Sequence, residues 1–232
     1  MSIGASYPKK GLRASIKMLY KRMNRKERSE ICEQFLEEKY PVVVCSLNYG
    51  TPFQLLTATI LSAQCTDARV NIVTKDLFAA YPDAFALSDA DIADVEKLIK
   101  STGMYKMKSK SITGMAKMLV EKYGGEVPKE MDELLALPGV GRKTANVVRG
   151  NLWKMPGVVV DTHVKRIAKR IGLTVNTDPD KVEKDLEKIL KGEKHCDWCH
   201  RVIYFGREIC TARSPKCDQC GVSHACKYYS TL

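Results

Sequence analysis

The chain has 232 residues, 44% of them hydrophobic, and its 38 Lys plus Arg outweigh 27 Asp plus Glu to give a formal charge of +11. That length carries one large domain or two small ones, and the positive excess points to a polyanionic partner, nucleic acid ahead of an anionic membrane. No apolar run approaches the roughly 18 residues of a membrane span, and no secretory pattern opens the chain, which argues against a disulfide framework for the nine cysteines.

Every charged residue through Lys26 is Lys or Arg. This reads as a basic tail or surface helix lying near nucleic acid, or as an organelle transit peptide. A mixed-charge helix follows from about Arg28 to Lys39 and ends at Pro41, and Val42-Val43-Val44 is a short apolar run. Thr51-Pro52-Phe53-Gln54 opens a helix to about Ser62, with Thr as N-cap, Pro at the first helical position and Gln completing a capping box. Asp67 is expected to cap the next helix, and Ser88-Asp89-Ala90-Asp91 the one after it, whose Ile92, Val95, Leu98 and Ile99 keep the helical period.

Gly103 closes that helix, and Lys106 to Tyr123 forms another that stops at Gly124-Gly125. A hairpin comes next, its second helix running to about Arg149; Asp161 caps a helix ended by Gly172, Asp178-Pro179 starts one to about Leu190, and a last helix spans about Cys199 to Ile209. No segment alternates like a strand, so the fold class is all-α with short capped turns.

Three stretches carry chemistry. In Leu137-Pro138-Gly139-Val140-Gly141-Arg142-Lys143, Pro138 forces the preceding residue out of the α region and ends a helix. Gly139 and Gly141 tolerate positive φ and close backbone approach, and the helix opening at Arg142 presents free N–H groups at its positive end, a seat for phosphate. The stretch is either an ordinary αα-hairpin or a helix-hairpin-helix that grips a nucleic-acid backbone.

Val158-Val159-Val160-Asp161-Thr162-His163 places an aspartate at a helix N-cap after an apolar run. Cys210, Cys217, Cys220 and Cys226 form C-x6-C-x2-C-x5-C, a four-thiolate set that composition leaves open between zinc and an iron–sulfur cluster. Cys196 and Cys199, flanked by His195 and His200, crowd one helix start too closely to surround a second ion, and Cys32, Cys45 and Cys65 read as small core residues.

The hairpin with its lysine, the Val-Asp-Thr-His motif and the cysteine spacing, in that order, resemble the endonuclease III family of DNA repair glycosylases over about residues 30–228. The resemblance implies a two-lobed helix-hairpin-helix glycosylase fold. A helical, barrel-like bundle over 46–155 would bear the hairpin at about 131–150, and a split domain of 1–45 plus 156–232 would carry a [4Fe–4S] cluster on the four cysteines.

It further implies that Lys143 is the nucleophile and Asp161 its catalytic partner. Gln64 would fill the hole left by an extruded base and Met104 would wedge the stack. Gly139, Gly141, Arg142, His163, Arg213 and Lys216 would meet DNA, and Lys106, Lys108 and Lys110 would reach phosphates. The partner is duplex DNA with damaged bases or abasic sites, and the protein is expected to be a monomer, cytoplasmic and nucleoid-associated in a prokaryote.

Adenine glycosylases of the same superfamily lack the lysine and carry a glutamate where Thr59 stands, and mismatch thymine glycosylases have tyrosine in place of Lys143. Both departures favour a glycosylase that is also a lyase. A DNA-binding module without catalysis and an iron–sulfur electron carrier are the rivals of other classes.

Overall fold

The computed structural model describes Tyr20 and residues 22–232; the basic tail expected before Lys26 lies largely outside them. The described residues hold eleven α-helices, several short 3-10 turns and no strand. The chain divides into two compact units, one over Cys45–Met155 and one joining the described residues up to Val44 to Pro156–Leu232.

The first unit contains α2 (Pro52–Leu61), α3 (Asp67–Ala80), α4 (Ala84–Ser88), α5 (Ile92–Ile99), α6 (Tyr105–Tyr123), α7 (Met131–Ala136) and α8 (Arg142–Trp153). Helix α2 has no polar face: Phe53 and the whole run Leu55 to Leu61 are buried, the pattern of a helix enclosed on all sides. It packs against α3, α6 and α8, and Leu55, Leu56, Leu61, Ile112, Met115, Leu119 and Val148 form the centre of one apolar core.

The second unit is built from α1 (Arg25–Lys39), α9 (Thr162–Ile171), α10 (Pro179–Glu187) and α11 (His195–Glu208), followed by 3-10 turns at Cys217–Gln219, Ser223–Ala225 and Tyr229–Thr231. Helix α11 packs on both α9 and α1. Its core holds Leu36, Val164, Ile167, Ile171, Leu186, Trp198 and Phe205, with the four motif cysteines against it.

Several local expectations shift by one to four residues. The cap of α3 is Thr66, whose hydroxyl accepts the Arg69 N–H at 3.3 Å, and Asp67 is the first helical residue. The cap of α5 is Asp91, accepting the Ala93 N–H at 2.7 Å, while Ser88 ends the short α4. Thr51 caps α2 as expected, but Gln54 reaches back to the Gly50 N–H at 2.8 Å, one residue past the N-cap, so the capping box is not closed. Helix α8 continues past Arg149 to Trp153, and α11 starts four residues before Cys199, at His195. Asn24 and Glu27 form a reciprocal capping box at α1.

Candidate functional site

In the first unit, Leu137 is extended at φ −75° and ψ 137°, as a residue before proline must be, and α7 ends there. The turn is docked on α6: a Cβ on Gly114 would sit 3.4 Å from the Pro138 ring, and one on Gly139 only 2.7 Å from Ser111 Cβ. Gly139 has φ 78°, so both its backbone and its surroundings demand glycine.

Gly141 differs from expectation. Its φ is −101°, which any residue adopts, and a Cβ there would meet nothing within 4 Å. The fold itself gives no reason for its missing side chain. It is the N-cap of α8 and offers no side-chain cap, so the positive end of that helix faces outward at Gly141, Arg142 and Lys143, all exposed. Among the described residues the Lys143 ammonium makes no hydrogen bond or ion pair.

Two more expected DNA probes in this unit share a rare backbone state. Gln64, in the turn between α2 and α3, has φ 53°, and Met104, the residue before α6, has φ 46°. Left-handed non-glycine residues cost about 1–3 kcal/mol and gather at functional sites. Both side chains are exposed, Met104 at 40%. The third residue of this kind, Lys154, terminates α8.

Lys106 and Lys110 are exposed, as a phosphate contact requires, but Lys108 is not. It is 3% exposed, and its ammonium donates to the Thr102 carbonyl at 2.7 Å. The expected phosphate role of Lys108 is therefore wrong: helical spacing turns it inward between two residues that face out. Thr59 is buried and its hydroxyl donates to Leu55 O at 2.7 Å, so no carboxylate stands there.

In the second unit, Asp161 caps α9, one oxygen accepting the Val164 N–H at 2.7 Å. His163 is half-buried; its Nδ1 accepts from Arg166 at 3.2 Å, and a Cβ on Gly206 would fall 2.4 Å from that same nitrogen. The ring is thus wedged between α9 and α11, and burial followed by the Arg166 and Arg207 charges outweighs Asp161 and lowers its pKa. Lys143 and Asp161 belong to different units.

The four motif cysteines line one cavity together with Arg170, Phe205, Val222 and Tyr228. None is in a disulfide. Burial first and the neighbouring thiols second push Cys220 up to about 12, and Cys217 and Cys226 in the same direction. Thiols that raise one another stay protonated until a cation takes the protons' place. Backbone N–H groups of Val222 on Cys220, and of Tyr228 and Tyr229 on Cys226, oppose that rise and would support thiolates.

Among the described residues no three His, Cys, Asp or Glu side chains converge closely enough to hold a single ion. A set of four thiols lining one cavity fits the four-thiolate ligation of a polynuclear iron–sulfur core. Cys196 and Cys199 are buried, and both nitrogens of His195 are engaged within the fold, Nδ1 accepting from the Gly157 N–H at 3.1 Å and Nε2 lying 3.4 Å from Leu190 O.

Arg213 and Lys216 are exposed on the loop between the first two cysteines. Arg170, which no sequence signal singled out, holds that loop: it donates to Thr211 O and Ala212 O at 2.7 Å each and lies 5.0 Å over the Tyr228 ring. Cys32 is a small core residue, as expected. It is fully buried on α1, and after burial its thiol is pushed up by Cys220, Cys226 and Cys210. Periodicity could place it in the core but could not reveal those neighbours.

A family model for the HhH-GPD superfamily base excision DNA repair protein matches residues 57–192, and one for the iron-sulfur binding domain of endonuclease III matches 210–226. Endonuclease III of Synechocystis sp. is 49% identical over 90% of this chain and 96% of its own length. The Escherichia coli endonuclease III is 38% identical over 89% of this chain and 97% of its own length.

Among solved structures, an endonuclease III in a trapped covalent intermediate with DNA superposes with a TM-score of 0.84 at 42% identity, covering 90% of this chain and 99% of that one. A thermostable thymine-DNA glycosylase, at 23% identity and a TM-score of 0.73 over 96% of this chain and 97% of its own, shares the fold. With the hairpin, the capped aspartate and the cysteine cavity all within the matched span, the chain belongs to the endonuclease III family of helix-hairpin-helix base-excision repair proteins.

Proposed function

We propose that this protein excises oxidised pyrimidines from duplex DNA and then cleaves the strand 3′ to the abasic site. The observation that carries the reading is Lys143: an exposed primary amine with no partner among the described residues, on the first turn of a helix whose N-terminus is bare. The covalent endonuclease III–DNA intermediate supports it, since that relative forms a bond to its substrate.

A base inside the stack must be extruded before chemistry. Met104 enters the stack beside the lesion and Gln64, whose amide both donates and accepts, pairs with the orphaned partner base. The neutral Lys143 amine attacks C1′ of the deoxyribose, the C1′–N bond breaks, and the base leaves with a proton. Asp161 takes the proton that the attacking nitrogen sheds and stands as a negative charge near the developing cation. The sugar ring then opens: the C1′–O4′ bond breaks, O4′ takes a proton and the lysine nitrogen forms a double bond to C1′. The protonated imine acidifies the C2′ proton, and its removal expels the 3′ phosphate by β-elimination.

Gly141 and the N–H groups of α8 take a backbone phosphate, with Gly139 shaping the turn and Arg142 beside it; Arg213 and Lys216 take others. His163 fixes the start of α9 and thereby Asp161. Cys210, Cys217, Cys220 and Cys226 hold the [4Fe–4S] cluster, which fastens the Arg213 loop and supplies no step of the reaction. The protein acts as a monomer; among the described residues no helix is long and apolar enough to cross a membrane.

The test is excision from a duplex with one thymine glycol. The expected products are the free base and a strand ending in an unsaturated 3′ aldehyde. Release of base with an intact strand would instead make the enzyme a monofunctional glycosylase, and no release would leave a binding module.

A further inference from the structure

Lys108 is a buried lysine that the reaction above does not use. Its ammonium donates to Thr102 O at 2.7 Å, while its backbone N–H donates to Met104 O at 3.0 Å. One residue therefore grips both ends of the turn Thr102-Gly103-Met104. That turn is unusual in holding two consecutive positive φ values, 70° at Gly103 and 46° at Met104. The Thr102 hydroxyl donates to Ile99 O at 2.8 Å and steadies the same turn from the other side.

The grip also lies beside the second probe. The 3-10 turn Lys100–Thr102 packs on α3, the helix that follows the Gln64 turn. Cys65, adjacent to Gln64, is close enough to act electrostatically on the ammonium, whose pKa burial lowers.

Stability alone does not account for a lysine here. Burying an ammonium carries a desolvation cost unless it is compensated, and a methionine, one atom shorter and uncharged, would fill most of the space without it. What a lysine adds is a charge-assisted bond of fixed geometry to one carbonyl.

We propose that Lys108 is a positioning residue for base extrusion: its grip on the Thr102 carbonyl keeps the Gly103-Met104 turn left-handed, so that Met104 is held outward, ready to enter the stack. The proposal rests on the glycosylase reading. It separates two activities that Lys143 serves equally. Excision from a duplex requires extrusion, whereas β-elimination at a preformed abasic site in single-stranded DNA does not.

The test compares both reactions, under single turnover, for the wild type, Lys108→Met, Met104→Ala and the double variant, with thermal melts of each. Lys108→Met is expected to slow duplex excision at least about tenfold and to leave single-strand cleavage within about twofold. If Lys108 works through Met104, the double variant is no slower than Met104→Ala. A 2-aminopurine placed beside the lesion should brighten on binding wild type and stay quenched with Lys108→Met.

Equal losses in both reactions, multiplicative losses in the double variant, or unimpaired excision would each overturn the proposal. So would unfolding at the assay temperature of both Lys108→Met and Lys108→Gln, which would make the lysine a stability element. A wild type inactive in both reactions would refute the glycosylase reading itself, whereas an active wild type with an unaffected variant refutes only the role of Lys108.

Discussion

Two glycines of the hairpin turn separate what the fold needs from what a partner needs. Gly139 is left-handed and its hydrogen faces Ser111, while Gly141 has ordinary backbone angles and open space. Gly139→Ala is therefore expected to destabilise the protein by about 1–3 kcal/mol, from strain plus the clash with α6. Gly141→Ala should leave stability within about 0.5 kcal/mol yet weaken duplex binding by roughly tenfold, about 1.4 kcal/mol. Melting curves and a binding titration check the pair. The sequence marked both as permissive residues, and only coordinates divide their roles, because φ and the neighbouring Ser111 are tertiary facts. Lys108 teaches the same lesson: its charge predicted an outward residue, and its position on α6 turned it inward.

At the level of elements, the helices were legible because caps and periodicity are local. Thr51, Asp161 and Asp178 cap the helices they were read to cap, and Gly124 and Gly172 end theirs in the left-handed state. Where two cap-forming residues adjoin, as at Thr66-Asp67, local chemistry does not choose between them, and packing does. Helix α9 offers a pH test. The pKa of His163 is lowered in the fold, so the unfolded chain binds a proton at about pH 6.5 where the native one does not. Stability is then full above that value and lost as pH falls through it. His163→Gln keeps an acceptor for Arg166 without titrating. The melting temperature should therefore fall less between about pH 7.5 and 5.5 in the variant than in the wild type; parallel falls would contradict the assignment.

For the whole molecule, the charge of +11 is the broadest claim. If about six phosphates are neutralised, log K for duplex DNA should fall with log salt at a slope near −5, measured by anisotropy; a flat response would remove the electrostatic footing of the interface. The cysteine set was legible as a ligand group from spacing, and its resemblance to the endonuclease III pattern chose an iron–sulfur core over a single ion, in agreement with the matched iron-sulfur binding domain and the one cavity the four thiols line. The loop anchor Arg170 was invisible, since its acceptors lie about forty residues away in sequence.

The most direct measurement of the central claim is reductive trapping. A duplex carrying one abasic site is mixed with the protein and borohydride, then resolved under denaturing conditions. The account predicts a covalent protein–DNA adduct with wild type, none with Lys143→Gln, and a much slower yield with Asp161→Asn. An adduct that survives Lys143→Gln, or no adduct with wild-type protein that still binds the duplex, would contradict it.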